Sequence, residues 1–302
     1  MREASVAESS IPVDLLNPGQ VFASIGLLEA ADLLLGDATG GFAWNHDGEA
    51  TFRVRASGAE PPVEYVMAFL DDAEVVPIAP ADSPNLDMWK DSWGSSPEVP
   101  ASGTPFPFPD PSSPATLPVV LRGRMGGEIP LDYWGDATRR DNVKFWAGAA
   151  GLPGAAILRN ALRIVSGKTR QHASNPFALS GAQTNSFRFD WRRDYVPIQV
   201  GFSPNRHSSI QMLGFPLVEI LAAVGMSHAR PNRVTKLQYE YGVLGGGESS
   251  LIDPPFHRAA LGAGDNPVPG HPFRRFVMQL DWPGQEDQAR CISQVREKEI
   301  DQ

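Results

Sequence analysis

Two short segments, 133–146 and 187–195, combine aromatic rings with guanidinium and ammonium groups. Aromatic faces stack on unpaired bases and these cations pair with phosphates, so together they can form a groove for single-stranded nucleic acid. The side chains expected to make such contacts are Trp134, Arg139, Arg140, Lys144, Arg188, Arg192, Arg193 and Tyr195. A base would stack on the ring of Trp134 or Tyr195, and the arginines and Lys144 would contact phosphates. The competing interpretation is core packing for the tryptophans and a solvated basic face for the arginines.

Charge is unevenly distributed along the chain. The whole chain carries −9, but residues 134–206 carry +7, between flanks of −14 (1–133) and −2 (207–302). A net negative charge argues against a general nucleic-acid binder. One basic block in an acidic chain instead indicates a localised anionic partner, and the two aromatic–basic segments fall almost entirely inside that block.

Catalytic and metal-binding patterns are weak in this sequence. The six histidines are scattered singly, without the spacing that places two ligands on one helix face. The chain has neither a Gly-x-Ser-x-Gly nucleophile elbow nor a Gly-rich phosphate loop ending in Lys and Ser or Thr. Aspartates beside the basic segments, such as Asp136 and Asp190, could hold magnesium for phosphodiester cleavage, but we expect them to orient the neighbouring arginines. No catalytic residue, metal or cofactor is predicted.

The chain before the basic block predicts a β-α-β-β-α-β order over residues 11–79. The expected elements are a strand at 11–16, a helix from Pro18, strands at 42–45 and 51–55, a helix from Pro62 and a strand at 74–78. Asn17 is the expected N-cap of the first helix, with Gln20 completing a capping box. The predicted fold class is therefore α+β with a ferredoxin-like core, the fold of RNA-recognition domains.

The rest of the chain divides into three parts. Residues 1–10 are expected to be disordered, and residues 80–127 to form a long Pro-, Ser- and Gly-rich insertion. Residues 128–302 should form a second α/β half that carries the aromatic–basic segments and is continuous with the core. Its expected elements are a strand at 128–134, helices at 142–150 and 155–165, a strand at 186–191, a helix at 215–226, strands at 234–243 and 273–282, and a closing helix at 286–298.

Composition indicates a folded soluble protein. The chain has 302 residues, of which 42% are apolar and 20% charged. Cys291 is the single cysteine, which excludes a disulfide framework and a cysteine-based zinc site. The N-terminal residues lack the pattern of a signal peptide, and no apolar run approaches the length of a membrane span. We therefore expect a cytoplasmic protein without a membrane partner.

Five stretches of the sequence resemble a known protein family. These stretches are 17–20, 26–31, 134–148, 187–195 and 216–225. In them the chain is similar to a subunit family of type I-G (formerly I-U) CRISPR systems, which is related to the RAMP proteins of the Cascade effector. The resemblance extends over residues 11–293. It implies an RNA-recognition-like core in a guide-RNA complex, where base pairing reads the target and the protein holds backbone and shape.

The resemblance and the basic block together give an expectation for function. The protein is expected to be a non-catalytic subunit of a CRISPR ribonucleoprotein in antiviral defence. Its candidate partners are the guide RNA, target DNA and other type I-G subunits. The overall charge of −9 keeps open a protein-only scaffold that docks its basic block onto an acidic neighbour. A magnesium-dependent nuclease of guide precursor or target is the third alternative.

Overall fold

A computed structural model of the chain describes residues 5–45, 48–100, 114–124, 126–135, 152–194, 207, 210–246, 251–262, 266–282 and 290–299. In these residues the protein is mixed α and β, with several small sheets. The helix predicted at 142–150 lies outside them.

The described chain contains five α-helices and twelve strands, joined by loops and short 3-10 turns. The helices are α1 (Pro18–Leu35), α2 (Pro62–Asp72), α3 (Gly154–Val165), α4 (Pro216–His228) and α5 (Pro254–Leu261). The strands are β1 (Val6–Val13), β2 (Thr39–Trp44), β3 (Ala50–Ser57), β4 (Glu74–Pro77), β5 (Val119–Arg122), β6 (Glu128–Leu131), β7 (Gly181–Ala182), β8 (Leu213–Gly214), β9 (Asn232–Arg233), β10 (Gln238–Leu244), β11 (Phe273–Asp281) and β12 (Cys291–Lys298).

Helices α1 and α4 pack against each other in the centre of the core. Both are apolar on almost every side, as helices enclosed by other elements are. Their backbones meet at two glycines. A Cβ added at Gly26 would lie 1.8 Å from the Leu221 carbonyl oxygen, and one added at Gly225 would lie 2.3 Å from the Phe22 carbonyl oxygen. Glycine is therefore required at both positions of the crossing. Helices α2 and α5 pack on α1, and α3 packs on α4.

The start of α1 follows its local sequence signals in part. Asn17 is the N-cap, and its Oδ1 accepts the Gly19 N–H at 3.1 Å. Gln20 does not complete the predicted capping box. Its Oε1 accepts the Asp14 N–H at 2.8 Å instead, and so fixes the chain that leads from β1 into the helix.

A partly buried ion pair joins α1 to α5. The Glu29 carboxylate accepts hydrogen bonds from Nε and Nη2 of Arg258, at 2.6 and 2.5 Å. His228, the last residue of α4, places Nδ1 3.5 Å from the same carboxylate, while burial lowers the pKa of its imidazole. Because the arginine binds through two nitrogens, the pair fixes the orientation of α5 as well as its position.

The strands form four antiparallel sheets, with the orders β1-β3-β2, β4-β5-β6, β7-β8 and β12-β11-β10-β9. The first six elements follow the expected β-α-β-β-α-β order. Strand β4 pairs with β5 rather than with β1, so the four-stranded ferredoxin-like sheet is not confirmed. Bridges from Gly40 to Ile252 and from Phe42 to Gly245 join the first sheet to the second half of the chain. Buried residues of both halves form one core.

Several predicted elements differ from the structure, among them the strand at 234–243, whose first residues form the turn between β9 and β10. Residues 6–10, expected to be disordered, belong to β1, because β3 is long enough to pair with all eight of its residues. Within the expected insertion 80–127, residues 119–122 form β5, which has strand partners on both sides. Residues 186–191, predicted as a strand, pair with no strand in the described chain. Residues 291–298, predicted as a helix, form β12 because they pair along β11.

Among the described residues, α1 is a helix long and apolar enough to cross a membrane. The expectation that no run approaches this length is therefore wrong for α1. In the folded protein 78% of the helix is buried inside the molecule. This is the position of a core helix and is consistent with a soluble protein.

Candidate nucleic-acid interface

The segment 186–194 lies across the N-terminal ends of α1 and α4. At α4, Oε1 of Glu219 accepts the N–H groups of Phe189 and Asp190, at 3.0 and 3.1 Å. At α1, the segment passes so close to Gly19 that an added Cβ there would lie 2.6 Å from the Phe189 carbonyl oxygen. Two helix ends thus hold one short piece of backbone. The Glu219 carboxylate, in the first turn of α4, also suits the positive end of that helix dipole.

Asp190 organises the turn that follows. Its Oδ1 accepts Nδ2 of Asn17 at 3.0 Å and the backbone N–H of Arg192 at 2.9 Å. The Arg192 guanidinium also donates to the Asp190 carboxylate: Nε lies 3.0 Å from Oδ1, and Nη2 lies 2.5 Å from Oδ2. The Asp190 side chain is fully buried, whereas that of Arg192 is 32% exposed. The prediction that Asp190 orients a neighbouring arginine is confirmed.

The Arg192 guanidinium is held by two further contacts. Nη2 donates to the Phe177 carbonyl oxygen at 2.8 Å, and Cζ lies 3.6 Å from the centre of the Phe215 ring. Nη1 makes no hydrogen bond with any described residue, so the group keeps donors for an anionic partner. Because the side chain is already fixed, binding a phosphate would cost it little conformational entropy.

Arg188 and Arg193 flank this turn. Arg188 has a φ of +70°, a left-handed conformation that interrupts the extended backbone and explains why 186–191 is not a strand. Nη2 of Arg193 donates to the Thr184 carbonyl oxygen at 2.9 Å. Burial raises the pKa of the Cys291 thiol, and the charges of Arg188 and Arg193 oppose that rise. Both arginines therefore lie close to the start of β12.

Trp191 is 41% exposed and projects from this turn between the buried Asp190 and the arginines. Two more exposed apolar side chains, Ile210 and Leu213, belong to the chain before α4. Asp194 binds that chain through its N–H to the Leu213 carbonyl oxygen at 3.0 Å, and through Oδ2 to the Leu213 N–H at 2.8 Å. We refer to residues 190–194 as the 190–194 corner. It combines an exposed aromatic face with fixed arginines, the pairing that single-stranded nucleic acid requires.

Trp191 is a candidate that the sequence reasoning missed. Alternation with Phe187 and Phe189, both fully buried, places it in the core. The turn at Asp190 directs it outward instead. The available signal was the Asp-Trp-Arg order, since an aspartate that accepts the N–H two residues later is a common turn former.

Trp134, predicted to stack on a base, lies in the core and this assignment is corrected. Its indole is fully buried and stacks on the Phe187 ring, with centroids 5.5 Å apart and planes 15° from parallel. Nε1 donates to the Leu117 carbonyl oxygen at 2.8 Å. Gly154 leaves room for the indole, because an added Cβ there would lie 2.6 Å from it. A side chain packed in this way offers no face to a base.

The predicted site residues therefore separate into three groups. Arg188, Arg192 and Arg193 lie in or beside the 190–194 corner, and Trp134 lies in the core. The others fall outside the described residues: Arg139, Arg140, Lys144 and Tyr195.

Polar atoms without partners lie beneath the 190–194 corner. Oε2 of Glu219 and the hydroxyl of Tyr133 are buried and make no hydrogen bond within the described chain. Burial raises the pKa of Glu219 to about 7, although the Asp190 N–H and the charge of Arg193 act in the opposite direction. Burial and the charge of Glu219 also raise the pKa of Tyr133 well above its usual value. The corner thus rests on an interior in which burial is the main influence on both ionisable groups.

Among the described residues, no group of three or more His, Cys, Asp or Glu side chains could hold a metal ion. Asp190, one of the aspartates considered for this role, has both oxygens engaged by Asn17 and Arg192. Asp136 lies outside the described residues.

Comparisons with protein-family models, with curated proteins and with solved structures gave no match for this chain. The resemblance to the type I-G subunit family rests on the sequence segments alone and stays a prediction.

Proposed function

We propose that this protein is a non-catalytic subunit of a type I-G (I-U) CRISPR effector ribonucleoprotein, acting in antiviral defence in a prokaryotic cytoplasm. Its role is to bind guide RNA and to assemble with other subunits. The observation that carries the proposal is the 190–194 corner. There an exposed tryptophan stands beside fixed arginines, inside the basic block and inside a segment that resembles the family.

The chemistry of the corner suits an RNA strand. The Trp191 ring gives a base a stacking platform that accepts any sequence, and the arginines offer charge to phosphates. A guide-RNA subunit needs this lack of base readout, because base pairing carries the target information. The acidic remainder of the chain would keep other polyanions away from the rest of the surface.

The ferredoxin-like part of the proposal draws on element order. Elements β1 to β4 follow the β-α-β-β-α-β sequence, and β1, β3 and β2 pair antiparallel in the order that this fold uses. We propose that β4 has been recruited into the β4-β5-β6 sheet of a derived ferredoxin-like core.

Co-purification with the products of neighbouring genes, followed by sequencing of bound RNA, tests the function directly. We expect RNA of one repeated, guide-like class. Trp191→Ala should weaken RNA binding about 5- to 150-fold, the range for loss of one stacked base. Arg55→Ala is the matched control, since Arg55 is an exposed arginine of β3 outside the basic block. Equal RNA affinity of Trp191→Ala and the wild type would contradict the assignment of the corner.

A protein-only scaffold is the second candidate, and the exposed apolar side chains beside the corner favour it. Trp191 of the corner and Leu213, which is hydrogen-bonded to Asp194, would suit the apolar centre of a protein interface, with the arginines at its rim. Ribonuclease treatment of the purified complex separates the two candidates. A scaffold remains bound to its neighbours after the RNA is digested, and its affinity for them falls in Trp191→Ala whether or not RNA is present.

A further inference from the structure

A second site lies away from the 190–194 corner, in a cleft of about 230 Å³ between α2 and the turn that joins β5 to β6. The lining side chains that matter for its chemistry are Glu60, Tyr65, Phe69, Asp72, Arg124 and Arg170. They supply two aromatic rings, two carboxylates and two guanidinium groups. No feature of the proposed function uses this cleft.

The aromatic part of the cleft is shaped by the β5–β6 turn. Phe69, from the buried face of α2, is only 8% exposed and lies beneath the turn. Gly123 is what lets the turn approach, since a Cβ there would lie 2.7 Å from the Phe69 ring. Tyr65, one helical turn earlier, is half-buried and also lines the cleft. A flat ring can therefore lie against Tyr65 with Phe69 beneath it.

The charged part of the cleft differs from the neighbouring part of the β5–β6 hairpin. Arg122, on the same hairpin, is paired with Glu98 at 3.2 Å and Glu128 at 2.8 Å. Arg124 makes no ion pair and no hydrogen bond within the described chain. Arg170 is 63% exposed and meets Asp72 only at 4.0 Å, the outer limit of an ion pair. The cleft thus holds two guanidinium groups whose hydrogen-bonding capacity is largely unused.

Two carboxylates also line the cleft. Glu60 is exposed at the cleft and has no hydrogen bond with a described residue, and Asp72 has only the long contact with Arg170. A ligand that satisfies all these groups has a flat ring, N–H donors and an anion. A nucleotide carries all three. The cleft is smaller than the sites of drug-sized ligands, and its volume suits one base with the phosphate in its open mouth.

We propose that this cleft binds one nucleoside monophosphate unit. The base lies against Tyr65 above Phe69, the carboxylate of Glu60 accepts its N–H donors, and Arg124 and Arg170 bind the phosphate. Guanine is preferred, because its adjacent N1–H and N2–H donors match the two oxygens of one carboxylate. Adenine, cytosine and uracil do not present such a pair of donors.

Calorimetric titration of the purified full chain with GMP, AMP, CMP, UMP, guanosine and inorganic phosphate tests the site. We expect saturable binding to one site, tightest for GMP, and at least about tenfold weaker binding of both guanosine and phosphate. Arg124→Ala should weaken GMP binding about tenfold or more, whereas Arg122→Ala should leave it unchanged. Tyr65→Ala should also weaken it. Circular dichroism melting verifies that each variant is folded.

Three results would overturn the proposal. These are the absence of saturable GMP binding at millimolar concentration, equal binding of phosphate and GMP, and equal effects of Arg122→Ala and Arg124→Ala. A 5′-phosphorylated guanosine trinucleotide and its dephosphorylated form distinguish an RNA end from a free nucleotide: an RNA end is supported only if the phosphorylated form binds at least as tightly as GMP. The cleft does not depend on the proposed function, since no residue of the 190–194 corner lines it. Trp191→Ala should therefore leave GMP binding unchanged.

Discussion

Replacing Glu219 by glutamine tests whether a buried carboxyl group beneath the 190–194 corner changes its charge near neutral pH. Glu219 is 1% exposed, and burial raises its pKa from 4.5 to about 7. Glutamine has the same shape, and its oxygen can still accept the N–H groups of Phe189 and Asp190. The substitution therefore removes the titration and keeps the two hydrogen bonds that hold the segment.

The direction in which stability changes with pH follows from proton binding by Glu219. Between pH 4.5 and 7 the folded protein keeps a proton on Glu219 that the unfolded chain releases, so acid stabilises the folded state. This contribution is fully present below pH 4.5 and is lost as the pH rises through 7. At 1.36 kcal/mol per pH unit, the loss amounts to about 3 kcal/mol.

Urea unfolding at half-unit steps from pH 5 to 8, followed by circular dichroism, measures the effect. The free energy of unfolding of the wild type should fall relative to Glu219→Gln by about 2.5 kcal/mol across this range, because the first part of the loss occurs below pH 5. His257 also titrates differently in the two states, since burial lowers its pKa to about 4, but it is present in both proteins and cancels in the difference.

The control is Glu74→Gln, which removes an exposed carboxylate of β4. The free energy of unfolding of Glu74→Gln should vary with pH in parallel with that of the wild type. Parallel profiles for Glu219→Gln as well would refute the reasoning, because they would mean that Glu219 does not titrate in the folded protein between pH 5 and 8.

Two further predictions concern the helix crossing and the corner. Gly26→Ala should lower the free energy of unfolding by about 2 kcal/mol or more, because the new Cβ meets the Leu221 carbonyl oxygen of a packed backbone; unchanged urea unfolding would contradict the close approach. Asp190→Ala should weaken RNA binding although it removes a negative charge, because it releases Arg192 and Asn17. Stronger binding in a filter-binding assay would show that charge matters there and positioning does not.

Local signals in the sequence predicted the elements whose ends are set by nearby residues. Asn17 and the proline after it fix the start of α1, and Pro62 opens α2 as expected. Pairing between distant strands is a different matter. The choice of β4 between β1 and β5 depends on which neighbour covers its edge, and no local pattern records that.

The error at β12 has an identifiable cause. Ile292 and Val295 are spaced three residues apart, which is typical of a helix. In the structure they oppose Leu280 and Met278 of β11, which lie on one face of the sheet. A register shift in this pairing inserts one extra residue between them, so a bulged strand imitates the helical spacing.

Only part of the candidate site could be predicted from the sequence. The sequence located the arginines of 187–195, because charge and composition are local properties. It exchanged the roles of two tryptophans, since burial depends on where the backbone turns. Trp134 is enclosed by Phe187 and Gly154, and Trp191 is turned outward after Asp190.

The crossing of α1 and α4 has a consequence for synthesis. Helix α1 buries its most extensive contact surface against α4, a helix made roughly 190 residues later. At about 5 to 20 residues per second, a nascent chain would carry this surface of α1 uncovered for roughly 10 to 40 s. During that time its length and composition resemble those of a membrane segment. Production of the folded protein should therefore depend on chaperones that shield the first third of the chain until α4 has left the ribosome.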